Sequence, residues 1–251
     1  MKVFLLNFYL IKNIINIKGF LFVIMNFKVA IDGPAGAGKS TVSRLLANKL
    51  KWFYLNTGLL FRLITFYILK NEISYNDDLD IANLEQILKN INIKLTNDGF
   101  YLNNEYFSVN LNDYYIEQKV SNISSLLPVR NKILILQYQI IRENDYLIMD
   151  GRDIGTVVMP HADLKIFLTA SIGQRALRKQ KELKIIGQDQ INLEKIIKEI
   201  QLRDSKDKKR SIAPLKKAED AILIDNTDFS VTETVNLIED LIKKKMLVKN
   251  V

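Results

Sequence analysis

The sequence predicts an α/β protein built on a mostly parallel, doubly wound sheet. Three observations carry this. Short apolar runs alternate with helical patterns along most of the chain. The first run, at 27–31, passes directly into a glycine-rich turn and the helical pattern TVSRLLANKL. A later run, at 146–150, has the continuous apolar character of a strand buried on both faces and ends in Gly-Arg-Asp.

The elements follow in order. After the first strand and helix, a short strand is expected near 52–55, with Trp52 starting it and packing in the core. A helix is expected over 58–69, with Thr57 as its N-cap. Composition shifts at about Asn76. From 77 to 115 the chain is rich in Asn, Asp and aromatics, and INIKLTNDGFYLNNEYFSV reads as a hairpin turning at Asn97-Asp98-Gly99. This segment reads as an inserted lobe. Helical patterns resume over 116–127 and 129–143. Strands at 146–150 and 164–168 follow, then helices at 174–183 and 192–210, a strand at 221–225 and a helix at 230–245. There is no internal repeat.

Length and composition bound the function. The 251 residues are 48% hydrophobic, enough for one domain with sub-lobes. The absence of cysteine excludes disulfides, thiolate metal sites and thiol nucleophiles, and fits a reducing cytoplasm. The net charge of +8 suits either a nucleic acid or an anionic small substrate. Part of it lies in the first 24 residues, which carry Lys2, Lys12 and Lys18 and no acid. Residues 25–251 carry 33 basic against 28 acidic residues, a modest excess that a phosphate site alone would explain.

Residues 1–26 are set apart as an apolar N-terminal extension, and 27–246 as the domain. Lysines interrupt the extension, and its longest uncharged run, 3–11, is too short to span a bilayer. No small-residue cleavage site follows it. The reading adopted is an upstream in-frame stretch with Met25 as the start. A peripheral anchor or unusual leader is the alternative.

One motif decides the class. Gly33-Pro34-Ala35-Gly36-Ala37-Gly38-Lys39-Ser40 fits G-x-x-x-x-G-K-[ST], the P-loop, and Thr41 continues it into the helix. Its glycines let successive backbone N–H groups converge on phosphate oxygens, and the helix adds its positive N-terminal end. Lys39 supplies a charge that can follow a transferred phosphoryl group. The Ser40 hydroxyl suits Mg²⁺ brought with ATP. Because the motif follows a strand and opens a helix, the nucleotide-phosphate reading outweighs coincidence, and the expected fold is of the P-loop NTPase type.

The guanine-reading pattern N-K-x-D is absent, since Asn131-Lys132 is followed by Ile133-Leu134. No basic stripe interleaved with aromatics marks a nucleic-acid ATPase. The arginines point to a second anion. Arg62 lies one helix past the P-loop, and Arg152 follows a strand's C-terminal end, where doubly wound folds bind ligands. Arg203, Lys206, Asp207 and Arg210 share one helical face by spacing. A solvated charged helix would explain that face alone, but phosphoryl transfer between two anions needs several cations.

At these residues the chain resembles the bacterial cytidylate kinases. IDGPAGAGKST, NTGLLFR, VSNISSLLPVR, MDGRDIGTVVMP, KIFLTAS, RDSKDKKRSIAPL and ILIDNT carry the resemblance over nearly all of 27–245. MDGRDIGTVVMP and RDSKDKKRSIAPL are the specific parts. The resemblance implies a nucleoside-monophosphate-kinase core with a CMP-side insertion at about 77–115 and a mobile helical lid at about 173–215. It implies that Lys39, Arg152 and Arg210 are catalytic, and that Arg62, Arg152 and Arg210 hold the acceptor phosphate, with Thr57 where the family often has serine. It assigns Ser125, Arg130 and Asp153 to cytosine, Arg203 and Asp207 to the ribose, and Arg175 to phosphate charge. ATP, Mg²⁺ and CMP or dCMP are the implied ligands. The implied protein is a cytoplasmic monomer that binds neither nucleic acid nor membrane.

The chemistry agrees. The cytosine amino group can donate to Asp153, and its N3 and O2 can accept from Arg130 and Ser125. Uracil would face Asp153 with an acceptor. For Ser125 a plain helix-end hydroxyl is an equal alternative. Phe61 stands where the family usually has tyrosine, so weaker acceptor binding is expected, and Asn56 replaces a usual aspartate. His161 is the sole histidine and reads as structural. The lysines at 243–245 favour a helix C-terminus. A kinase for another small acceptor such as a shikimate-like compound, a GTPase or ATPase switch, and a basic nucleic-acid module remain as alternatives.

Overall fold

The computed structural model describes residues 14–17, 20–23, 26–96, 99–108, 114–185, 187 and 191–249. Strands β1 (Ile14–Ile17) and β2 (Phe20–Val23) pair antiparallel. Next come β3 (Phe27–Asp32), helix α1 (Lys39–Leu50), β4 (Phe53–Asn56) and α2 (Thr57–Lys70). Helix α3 (Asp78–Asn90) and the strands β5 (Ile93–Leu95), β6 (Gly99–Leu102) and β7 (Glu105–Ser108) make the segment expected as an insertion. Helices α4 (Tyr114–Ile123) and α5 (Leu127–Glu143) lead to β8 (Tyr146–Gly151), a π-helical turn (Ile154–Val158) and β9 (Leu164–Thr169). Helices α6 (Ile172–Ile185) and α7 (Leu193–Lys209), strand β10 (Ile222–Asp225) and α8 (Val231–Lys249) complete the order.

The central sheet runs β10-β9-β3-β8-β4, with every pairing parallel. The doubly wound α/β expectation therefore holds. Alternation along each strand feeds two cores. Phe27, Val29 and Ile31 of β3 and Ile148 of β8 face α1 and α8, where Leu46 and Ile238 are fully buried. Ala30, Leu147 and Met149 face the other side, against Leu60, Leu63 and Ile64 of α2 and Ile133 of α5. Each fully buried Leu or Ile contributes about 1.5–3 kcal/mol, so these faces supply the driving force for the layers. A third, smaller core joins α6 and α7 through Ala176, Leu183, Ile196 and Ile200, with Ala35 of the P-loop packed against it.

Several local expectations are corrected. Trp52 precedes β4 rather than starting it, and packs beside Phe27 and Tyr146 with ring centroids 5.7 and 5.2 Å away. Asn56, not Thr57, is the N-cap of α2, because Thr57 is inside the helix and its hydroxyl donates to the Asp150 carbonyl at 2.8 Å. The 77–115 segment holds a helix that its polar composition hid. Asp77 caps α3 by accepting from the Asp80 N–H, and Leu84 and Leu88 bury its inner face. The expected hairpin is a three-stranded antiparallel sheet, with a second turn at Asn103, whose φ is 49°. Asn97 and Asp98 of the expected turn lie outside the described residues. Helix α4 stops at Ile123, four residues early, because Pro128 opens a new helix at its N-terminal turn.

Candidate active site

The P-loop joins the C-terminal end of β3, the central strand, to α1. Gly33 has φ 151°, and a Cβ there would lie 1.9 Å from the Leu168 carbonyl oxygen. Only glycine lets the loop pass so close to β9. Gly38 sits in the left-handed region as the N-cap of α1, which frees the helix's first N–H groups for an anion. Ala35, Gly36, Gly38, Lys39, Ser40 and Thr41 line a cleft of about 470 Å³. Gly33, Pro34 and Ala37 are buried and do not line it. The Lys39 ammonium donates to the Pro34 carbonyl at 2.8 Å. Burial pushes Lys39 well below the ordinary lysine value, Arg152 adds to this, and Asp150 opposes it. A bound polyphosphate would reverse that balance by supplying negative charge.

Asp150, at the end of β8, was not picked out from the sequence. Its carboxylate accepts from Ser40 Oγ at 2.8 Å and from the Tyr54 hydroxyl at 3.2 Å. Burial raises its pKa, with Lys39 as the main opposing charge. The hydroxyl and carboxylate are hard oxygen donors side by side, which fits Mg²⁺ shared with nucleotide phosphates. Among the described residues no group of three or more His, Cys, Asp or Glu side chains forms a self-contained metal cage.

The same cleft receives the second set of residues. Thr57, Arg62, Arg130, Arg152, Asp153, Arg203, Asp207 and Arg210 all line it. Arg152 Nε donates to Asp207 Oδ2 at 3.0 Å. Asp153 pairs with Arg130 and lies 3.5 Å from Arg210 Nη2. Burial raises Asp153's pKa, while Arg130 and Arg210 oppose the rise. Arg210 follows α7 with extended backbone rather than riding its face, and its Nε donates to the Ala213 carbonyl at 2.5 Å. Phe61 supports the set differently from a tyrosine, with its ring 5.5 Å from the Arg130 guanidinium carbon.

Two expected residues are elsewhere. Ser125 is exposed in the turn after α4, and its hydroxyl donates to the Asn122 carbonyl at 2.6 Å. Because α4 ends early, the serines of this segment that line the cleft are Ser121 and Ser124. Ser124 donates to the Ser121 carbonyl, whereas Ser121 Oγ is buried without a protein partner. A buried hydroxyl beside a polar cleft has a bond that a water or a ligand can supply. Arg175 does not reach the cleft. It donates to the Ala170 and Ala35 carbonyls at 3.0 and 2.9 Å and pairs with Asp204 at 2.5 Å. Asp204 in turn accepts from the Ala35 N–H at 3.0 Å, so the pair braces the P-loop from behind.

Asp32 and Glu117 were also not picked out. Both Asp32 oxygens accept backbone bonds, from Ile154 N–H at 2.9 Å and Gly155 N–H at 2.7 Å, which fixes the chain just after Arg152 and Asp153. Burial pushes Asp32 up to about 6 against those two bonds. Glu117 pairs with Arg62 and Arg203. His161, exposed in its turn, takes no part.

A phosphate loop facing an arginine-lined pocket across one cleft of a parallel α/β sheet defines a P-loop phosphotransferase. Residues 29–244 match the family described as cytidylate kinase. A cytidylate kinase of Phytoplasma mali is 50% identical over 229 residues, covering 89% of this chain and 98% of its own. One from Aster yellows witches'-broom phytoplasma is 47% identical, with coverages of 88% and 97%. One from Fusobacterium nucleatum is 41% identical, with coverages of 87% and 98%. The chain belongs to the cytidylate kinase family.

Proposed function

We propose that this protein transfers the γ-phosphoryl group of ATP to CMP, with dCMP as a second acceptor, giving CDP or dCDP in pyrimidine nucleotide metabolism in the cytoplasm. The observation that carries the reading is that Asp153, Arg130 and the unpaired Ser121 hydroxyl share one cleft with Lys39 and Ser40. They offer an acceptor for the cytosine amino group and donors for its N3 and O2. Ser121 takes the role first assigned to Ser125.

No general base is needed, because the acceptor phosphate oxygen is already an anion. Catalysis then rests on position and charge. The P-loop amides and Lys39 hold the transferring group. Arg62, Arg152 and Arg210 hold the acceptor phosphate, and Arg203 and Asp207 meet the ribose. Ser40 and Asp150 would hold Mg²⁺, which when bound neutralises charge on the nucleotide phosphates. The protein acts as a monomer in this reading. Segment 77–115 forms the acceptor-side insertion. The α6–α7 pair, with its own small core, forms the lid over about 173–215 that excludes water. Among the described residues no helix is long and apolar enough to cross a membrane.

The test is an acceptor screen that couples ADP release to CMP, dCMP, UMP, AMP and no acceptor. The reading expects CMP and dCMP to dominate. Equal turnover without acceptor would make the protein an ATPase, and dominance of AMP would move the substrate class.

A further inference from the structure

We propose that Glu117 is a positioning residue for the acceptor side, a carboxylate that holds Arg62 for the phosphate and Arg203 for the ribose of one incoming nucleotide. The inference deepens the CMP-site reading and rests on it. Glu117 projects from α4, Arg62 from α2 and Arg203 from α7, so the carboxylate ties together three elements around the cleft. Its Oε2 accepts from Arg62 Nη2 at 2.7 Å, its Oε1 accepts from Arg203 Nη1, and Lys179 of α6 stands 4.0 Å from Oε2. Burial works to raise its pKa, yet Arg203, Arg62 and Lys179 hold it well below the usual carboxylate range, so it is an anion wherever the protein works.

The arrangement leaves a specific vacancy of function. Arg62 Nε and Arg203 Nε are both buried with no protein partner. Each guanidinium therefore spends one Nη group on Glu117 and keeps its Nε edge for something else. Two buried cations would repel each other and splay apart without the carboxylate between them. With it, two guanidinium groups are held at the cleft wall before the acceptor arrives, which lowers the ordering cost of binding. A competing role, in which Glu117 occupies the phosphate position itself, predicts the opposite sign when the charge is removed.

Steady-state kinetics of Glu117→Gln and Glu117→Asp test this with CMP and ATP varied separately. The expected result for Gln is a rise in KM for CMP of about tenfold or more, the scale of a lost charge-assisted hydrogen bond, with KM for ATP within about twofold. Asp, which keeps the charge but reaches less far, should fall between Gln and wild type. Equal rises in both KM values, or an unchanged or lowered KM for CMP, would overturn the proposal. Thermal unfolding is followed in parallel, and if Gln is unfolded at the assay temperature the Asp variant decides. A wild type that does not phosphorylate CMP would instead sink the CMP-site reading beneath it.

Discussion

Arg130 and Asp153 form a buried ion pair on the wall of the cleft, and both belong to the set that faces the base in the proposed complex. The pair orients each partner. Arg130 also donates to the Ser124 carbonyl at 3.2 Å, and Asp153 keeps lone pairs for the cytosine amino group. Asp153→Asn is expected to lower the ratio of kcat/KM for CMP over UMP by roughly ten- to a hundredfold, since asparagine offers either an oxygen or an amino group. An unchanged ratio with both rates falling would mean that Asp153 serves only Arg130 and Arg210.

The two serines separate in the same assay. Ser121→Ala is expected to raise KM for CMP by about fivefold, the worth of one neutral hydrogen bond, and Ser125→Ala to leave it unchanged. A reversed pattern would return the role to the exposed residue.

The two serines show what was legible in the sequence and what was not. The P-loop was readable because anion capture needs contiguous residues at one spacing, and the strand-to-helix context sits beside it. Arg62, Arg130, Arg152, Asp153, Arg203, Asp207 and Arg210 were readable through longer motifs and do meet in one cleft. Which of Ser121 and Ser125 lines the cleft depends on where α4 ends, and an expected helix over 116–127 put Ser125 inside it. Pro128 held that information, since it opens the next helix. Arg175, Asp204, Asp32 and Glu117 depend on partners 29 to 169 residues away, which no local pattern reveals.

Arg175 carries a stability prediction rather than a catalytic one. Arg175→Ala leaves Asp204 as a buried uncompensated anion behind the P-loop. Such losses cost about 3–5 kcal/mol, read by denaturant unfolding. A variant of native stability with impaired phosphate binding would restore the direct role expected at first.

Asp32 gives a pH signature. Its folded pKa is raised to about 6 from an ordinary 3.8, so the folded state holds the proton more tightly than the unfolded one. Its contribution is therefore most favourable below about 3.8 and is lost as pH rises to about 6, then stays constant. Between pH 4 and 7 the stability of wild type should fall relative to Asp32→Asn by on the order of 3 kcal/mol, apart from a constant offset for the altered backbone bonds. A difference flat across that range would mean that the two backbone bonds cancel the burial.

Transfer of a phosphoryl group to the phosphate of CMP is followed by the fate of a label. With ATP labelled in its γ-phosphate and CMP as acceptor, the label should appear in the β-phosphate of CDP. Lys39→Ala should lower that transfer by about two orders of magnitude or more, from charge stabilisation worth roughly 3 kcal/mol. Label recovered only as inorganic phosphate, or transfer that survives in Lys39→Ala within a factor of about two, would contradict the account.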